Sequence, residues 1–411
     1  MALVMAGGQG SRLQPLTDKR SKPAVPFGSR YRIVDFVLSN LVNSGIFTIY
    51  LLVQYKSQSL IEHIRKAWVL SPLFHNQFVT VVPPQMREGS VWFQGTADAV
   101  CQNLNLIEAH HPEFVVVFGA DHIYRMDVAQ MIDFHMQHHA DVTVACIPVP
   151  LERACDFGIV AADSQYRIKG FEEKPPHPTA MPGNPGHAYA SMGNYVFTAS
   201  VLVQELREAH RRGETDFGNH LLPRMLNHRH LLAYNFADNV VPGIKAHEES
   251  GYWRDVGTVD AYYEAHRDVL GLYPRFDLFD PQWPILSSQY PGPVAHVVRG
   301  NIENSLLGAA SVIKGGRLRN TIVRREAVVE EGADIEDCII MDYVHVGRGA
   351  KLRRVIVDRH NSIEAGTEIG FDVSEDRDRY WVSSSGITVV PRGRTPYYPR
   401  DPHGGGRGFG E

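Results

Sequence analysis

No C-x-x-C pair occurs among the four cysteines, Cys101, Cys146, Cys155 and Cys338. That excludes a disulfide framework or a thiolate metal site and fits a reducing, cytoplasmic setting. No apolar run approaches the roughly eighteen residues of a membrane-crossing helix, and no membrane partner is expected. The first residues read as a buried strand, so no secretory leader is expected either. Charge of one sign is scarce: the net value is −5 and neither half carries a strong basic run, which disfavours nucleic acid but leaves room for a local anion pocket. There is no nucleophile-elbow motif for a serine or cysteine triad. The 20 histidines, in stretches such as HMQHH and LNHRH, show no metal-ligand pattern and suit solvated helix faces.

What is present is a folded chain of 411 residues, 44% apolar and 21% charged, too long for one ordinary core. Ala2 to Ala6, Ile46 to Val53, Phe78 to Val82, Phe114 to Phe118 and Val142 to Val149 read as strands. Tyr31 to Asn43, Ser57 to Trp68, Ala97 to Ala109 and Val128 to His138 read as helices. Strands without polar alternation, separated by helices, predict an α/β domain over 1–270 with a mainly parallel sheet covered on both faces. Its ligand then belongs at the carboxyl ends of the strands, where strand order reverses.

Five prolines between Pro274 and Pro293 rule out a helix or central strand, so 271–300 reads as an ordered connector. A repeat follows over 301–390. Gly315, Gly332, Gly349 and Gly366 recur every 17 residues, flanked by columns Val312/Val329/Val346/Ile363 and Leu318/Ile335/Leu352/Ile369. A third column holds Val323, Ile340 and Val357, with Leu306 or Leu307 ahead of them. Three inward apolar positions per repeat predict a coil of three short strands per turn, with glycine at a corner. GITVV reads as a closing strand, and the Gly/Pro/Arg-rich 391–411 as a mobile tail.

The opening stretch VMAGGQGSRLQPLTDKRSKPAVPFG places Gly7, Gly8 and Gly10 after a strand, with Arg12, Lys19, Arg20 and Lys22 close behind. Exposed amides there can cradle phosphate, and Arg12 can fork onto the same oxygens. The dinucleotide and ATPase fingerprints both fail. A tight turn with a solvent arginine is the alternative. Asp121 in GADH stands just past a strand and can hold a metal or simply cap a turn. Asp255 in YWRDVGT can do the first or pair with Arg254. Lys174 in FEEKP suits a phosphate monoester, or is a surface lysine ending a strand. Gln85 and the segment WFQGTADAV are the candidates for a base, Gly95 admitting a ring and Thr96 beginning a helix.

GGQGSRLQPLTDKRSKPAVPFG, RIVDFVLSN, VQYKSQSL, WFQGTADAV, FGADHIYRMD, FEEKP, SMGNYVF and YWRDVGT, in this order, resemble the sugar-1-phosphate nucleotidylyltransferases. In detail they are similar to the bacterial glucose-1-phosphate adenylyltransferase branch, the ADP-glucose pyrophosphorylases, and the resemblance extends through the repeat. It implies a Rossmann-like nucleotidyltransferase domain followed by a left-handed parallel β-helix. The implied reaction joins ATP and α-D-glucose 1-phosphate into ADP-glucose and pyrophosphate for glycogen or α-glucan synthesis. It also implies Mg2+ on Asp121 and Asp255, catalytic roles for Arg12 and Lys22, and nucleotide contacts from Ala6, Gly7, Gly8, Gly10, Arg12, Gln85, Gly95 and Thr96. Glu173, Lys174, Ser191 and Gly193 are implied to bind glucose 1-phosphate. Lys19, Arg20, Lys22, Arg32, Arg353 and Arg354 match regions linked to a phosphorylated-sugar activator, opposed by an anionic inhibitor such as AMP or phosphate, in a homotetramer. Phe93 stands where relatives usually have tyrosine, and Pro26 where many have histidine.

Three other readings follow from the same residues. One is the same transfer with UTP or dTTP; a second is a non-catalytic regulatory subunit, against which the intact Gly8, Arg12, Asp121, Lys174 and Asp255 weigh. The third is an acyltransferase built on the coil, with His345 or His360 as base.

Overall fold

In the computed structural model, residues 1–71, 74, 76–85 and 92–394 are described. The strands Phe114–Gly119, Ala2–Met5, Thr48–Leu52 and Phe78–Val82 lie side by side and parallel, in that order. Strand order reverses at Ala2–Met5, so the two loops leaving it and Phe114–Gly119 open at the same edge. On the other side of Phe114–Gly119 the sheet becomes antiparallel through the long strand His187–Thr198, which also pairs with Val142–Pro150 and Gly158–Ala162. Ile168–Glu173 and Leu231–Asn235 complete a nine-stranded mixed sheet. Apolar clusters cover both faces, one built on Leu3, Val117 and Phe197, the other on Val4, Val116 and Val196. Successive side chains of one strand feed opposite cores, which is why these strands show no polar alternation.

Two helices differ from the sequence expectation for local reasons. The first starts at Val34, because Tyr31–Arg32 pairs with Pro26–Phe27 as a hairpin and the Asp35 carboxylate accepts from the Arg32 amide at 2.9 Å. The stretch expected as one helix from Ala97 splits into Thr96–Cys101 and Leu104–His110. At the break Asn103 Nδ2 donates to the Ala99 carbonyl at 2.8 Å, a side-chain bond that competes with helix propagation.

The proline-rich stretch is ordered along the helix Val34–Asn43: Trp283 Nε1 donates to Asn40, Ser287 Oγ to Asp35, and Asn43 to the Pro284 carbonyl. The coil begins inside that stretch, at His296–Val297, where the prolines masked the first strand. Three parallel sheets then stack turn on turn. Val312 pairs with Val328 and Ile313 with Val329, so the inward column is Ile313, Val329, Val346 and Ile363, correcting the expected Val312. The first turns are one residue shorter in this sheet than the glycine spacing implies. The other two columns stand, with Leu307 opposite Val323. Gly332, Gly349 and Gly366 take φ of 71°, 65° and 71° at the corners. The charged EDRDR stretch lies in a helix, Val373–Arg379, after which Thr388–Val390 pairs with Val355–Val357. The expected mobile tail lies outside the described residues from 395 onward.

The two parts share an apolar seam in which Phe27, Phe36, Val259 and Tyr262 meet Ile322, Ile339, Ile356 and Val389. Within it the buried Arg324 of the coil donates to the carbonyls of Phe27, Gly28 and Tyr31 and pairs with Asp342. Replacing Arg324 by Met is expected to lower stability by about 3 kcal/mol, since three buried carbonyls lose their donor while Asp342 keeps other arginines. The urea midpoint followed by circular dichroism reads this; a shift below about 0.5 kcal/mol would deny the anchor its role.

Candidate active site

A cleft of about 730 Å³ opens at the carboxyl ends of the parallel strands. Its wall contains Ala6, Gly7, Gly8, Gly10, Arg12, Lys22, Gly95, Thr96, Asp121, Ser191, Gly193 and Asp255, all expected from the sequence. Gly10 has φ 63° and caps the short helix Ser11–Leu13, a left-handed position that a side chain would strain. Gly8 is exposed in the cleft wall, and a Cβ there would meet nothing within 4 Å.

Asp121 follows Phe114–Gly119, and Asp255 ends the short strand Trp253–Asp255 that pairs antiparallel with His122–Tyr124. This two-stranded pairing puts Asp255 opposite His122 and brings together carboxylates far apart in sequence. Lys22 Nζ lies 3.0 Å from Asp121 Oδ2 and 2.8 Å from Asp255 Oδ1. Arg12 Nη2 stands 4.0 Å from Asp255 on the exposed side. Arg254, the alternative partner of Asp255, is instead held by Glu249 and Asp268.

Burial opposes the charge on Lys22, yet the two carboxylates outweigh it and raise the ammonium above its usual range. Burial likewise opposes ionisation of Asp121, but His122 and Lys22 hold its carboxyl well below the usual range. Asp121, His122 and Asp255 offer ligand atoms within 4.8 Å of one another, an arrangement able to hold a divalent cation. His122 tilts against Trp253, and its Nδ1 is buried without a hydrogen bond among the described residues. The sequence reading passed over it, although it adjoins Asp121 in GADH.

Thr96 begins a helix as expected, and both Gly95 and Thr96 also hold the cleft wall together. A Cβ on Gly95 would lie 2.3 Å from the Thr215 carbonyl oxygen, so the glycine is required by a backbone approach. That carbonyl accepts from the amides of Ala97 and Asp98, fixing the helix start. The Thr96 hydroxyl donates to Asp216 and accepts from the Phe217 amide, tying the cleft wall to the 215–221 turn. Ser191 and Gly193 lie where His187–Thr198 breaks register, which bends them into the cleft. Asn194 beside them accepts from the Gly119 amide and donates to Tyr124, bracing the Asp121 turn.

Gln85, Glu173 and Lys174 are exposed and do not line this cleft among the described residues. Gln85 donates to the Pro83 carbonyl, and residues 86–91 next to it lie outside the described residues. Glu173 pairs in register with Gly158, which does line the cleft, and the Lys174 amide donates to the Phe157 carbonyl at 3.1 Å. Gln54, Asp156, Phe157, Tyr195 and Asp216 also line the wall; Gln54 and Tyr195 fall within VQYKSQSL and SMGNYVF, but none of the five was singled out from the sequence.

Lys19, Arg353 and Arg354 are exposed; Arg353 pairs with Glu336 and Arg354 donates to the Ser385 carbonyl. Arg20 is buried against Asp358 of the coil, and Arg32 donates to the Ser59 carbonyl. Burial and the neighbouring Arg359 push Arg32 down to about 9. Arg392 is lowered as well, by burial and then by Arg359 and Arg20. So Arg20 and Arg32 are brought together with Arg359 and Arg392, two arginines the sequence reading missed, and not with Arg353 and Arg354.

A nucleotidyl transferase family model matches residues 1–271, and a GlmU-like C-terminal hexapeptide model matches 294–390. The chain is similar to proteins named glucose-1-phosphate adenylyltransferase from several bacteria. That of Thermodesulfovibrio yellowstonii is 53% identical over 95% of this chain and 96% of its own. Those of Corynebacterium jeikeium and Thermus thermophilus are each 45% identical, covering 95% and 96% of this chain and 97% and 98% of their own.

Proposed function

Because the chain belongs to the nucleotidyl transferase family and, within it, to the bacterial glucose-1-phosphate adenylyltransferases, we infer that it moves the adenylyl group of ATP onto α-D-glucose 1-phosphate. The products are ADP-glucose and pyrophosphate. The observation that carries this reading is the alignment of nearly the whole chain with such enzymes, joined to a cleft where amides, cations and paired carboxylates converge.

The sugar phosphate brings its own nucleophile, since the monoester is largely a dianion at neutral pH. Its oxygen forms a bond to the α-phosphorus while the bond to pyrophosphate breaks on the opposite side. The protein's work is alignment and charge neutralisation. Amides of Gly7, Gly8 and Gly10 and the Arg12 guanidinium hold the triphosphate; Lys22 supplies a buried positive charge beside them. Lys174 takes the phosphate of glucose 1-phosphate, with Glu173, Ser191 and Gly193 on the sugar. The hard oxygens of Asp121 and Asp255 suit Mg2+, with His122 within reach of the same point. When bound, that ion would neutralise negative charge gathering on the phosphoryl oxygens.

A regulatory anion belongs between the domains. Arg20, Arg32, Arg359 and Arg392 crowd there, and Arg20 Nη1 is buried without a hydrogen bond among the described residues. A phosphorylated-sugar activator would relieve that repulsion, and AMP or phosphate would compete as inhibitor. The assembly is a homotetramer. The remaining boundaries are a catalytic unit to 270, a connector that ends where the coil's first strand begins at His296–Val297, and coil and closing strand to 390.

Purified protein with Mg2+, glucose 1-phosphate and one nucleoside triphosphate at a time tests the reading through pyrophosphate release. ATP is expected to exceed UTP and dTTP by at least about a hundredfold, as hydrogen-bonded base recognition allows. Equal rates with UTP would overturn the assignment of the nucleotide.

A further inference from the structure

Lys22 is placed unusually for a residue meant only to meet a nucleotide. Its side chain is 8% exposed, and its ammonium bridges both carboxylates, at 3.0 Å and 2.8 Å. The ammonium is therefore where two negative charges would otherwise repel each other across the space between Asp121 and Asp255. The backbone beneath it is fixed. Lys22 starts the short helix Lys22–Ala24, followed by Pro23, and two residues earlier Arg20 is pinned by Asp358 and the Leu16 carbonyl. A Cβ on Gly10 would lie 3.0 Å from Lys22 Cβ, so the lysine stem lies directly against the glycine loop. Only the end of the side chain has freedom, and leaving the carboxylates takes it toward the amide-lined part of the cleft.

We propose that Lys22 is the site's internal counter-cation, holding Asp121 and Asp255 together until a divalent ion takes them and then turning its charge to the phosphate side of the cleft. This rests on the metal reading of Asp121 and Asp255. It adds that the lysine and the ion compete for the same oxygens. An ion approaching the wild-type pair meets two carboxylates already half neutralised and a positive charge in contact with them. Because the ammonium is buried, leaving the pair has a free-energy cost that the incoming ion must offset, and an anion in the glycine loop lowers that cost. The glycine loop is where that anion would lie, so one side chain links divalent-ion binding to nucleotide binding without any movement of the loop.

The test is Mn2+ binding to the full-length protein without nucleotide, followed by the electron paramagnetic resonance signal of free Mn2+. Lys22→Gln is expected to bind Mn2+ at least about tenfold more tightly than wild type, the scale of one unit charge removed from contact distance in a wet cleft. Its turnover should fall, because the phosphate loses a cation. Equal or weaker Mn2+ affinity in Lys22→Gln overturns the proposal. Asp255→Asn should lose binding in either background; if neither wild type nor Lys22→Gln binds Mn2+, the metal site itself fails and the counter-cation with it. A wild-type measurement covers a variant that does not fold. Acetic anhydride labelling of Lys22, read by peptide mass spectrometry, should rise severalfold when Mg2+ is added, and labelling unchanged by Mg2+ contradicts the exchange.

Discussion

Asp255→Asn should lower turnover by about a thousandfold, roughly 4 kcal/mol of transition-state stabilisation, while the KM for glucose 1-phosphate changes little. Asparagine keeps the shape and can still accept from Lys22, so what is removed is one negative charge opposite Asp121. With that charge gone, the pair can no longer balance a divalent ion against the phosphoryl oxygens, and charge peaks there as phosphorus becomes five-coordinate. An interaction that strengthens only in the transition state lowers kcat and kcat/KM together. Asp121→Asn should match it, since both carboxylates meet the same ammonium. A structural role would behave otherwise. Asp255 ends a three-residue strand and is half-buried, and the neighbouring Arg254 carries its own pairs with Glu249 and Asp268, so folding should survive the substitution. Steady-state pyrophosphate release, with circular dichroism as control, measures the effect. Turnover within tenfold of wild type would remove Asp255 from the chemistry.

The site was legible where function is written in residue type and obscured where it is written in packing. Gly8, Arg12, Lys22, Asp121 and Asp255, chosen from loop position and from the family resemblance together, all line the cleft. That Asp121 and Asp255 meet was not legible from spacing: the pairing depends on the register of His122–Tyr124 with Trp253–Asp255, two strands of only three residues. Gly95 lines the cleft as expected, but its close approach to Thr215 is a tertiary fact that the sequence does not carry. The parallel half of the sheet was readable from apolar runs. The antiparallel half was not, because Gly158–Ala162 and the edge strand Ile168–Glu173 are short, have mixed burial and carry no clear period. In the coil, the periodicity was strong enough to give two columns outright, and a one-residue contraction in its first turns displaced the third from Ile313 to Val312. Arg359 and Arg392 stayed hidden because arginines on a coil look solvated in sequence, and nothing in the spacing brings Arg20 and Arg32 near them.

Lys174→Ala should raise the KM for glucose 1-phosphate about thirtyfold, near 2 kcal/mol, and leave the KM for ATP within about twofold. The strand Ile168–Glu173 carries the chain to the rim of the cleft, where Glu173 sits opposite Gly158. Lys174 then adopts φ 46°, a left-handed turn, with its amide bonded to the carbonyl of Phe157, itself part of the cleft wall. Its backbone is thus fixed beside Phe157 and Gly158 while its side chain remains in solvent. An exposed ammonium on a fixed stem costs little before substrate binds and gains a charge-assisted bond once a phosphate arrives. That bond exists in the bound substrate and in the transition state alike, so its loss raises KM with a smaller effect on kcat. This separates Lys174 from Asp255: one variant should be rescued by high sugar phosphate, the other by no substrate concentration. If Lys174→Ala instead raised the KM for ATP, or lowered kcat without touching KM, the lysine would belong to the nucleotide side and the division of the cleft between two phosphates would have to be redrawn.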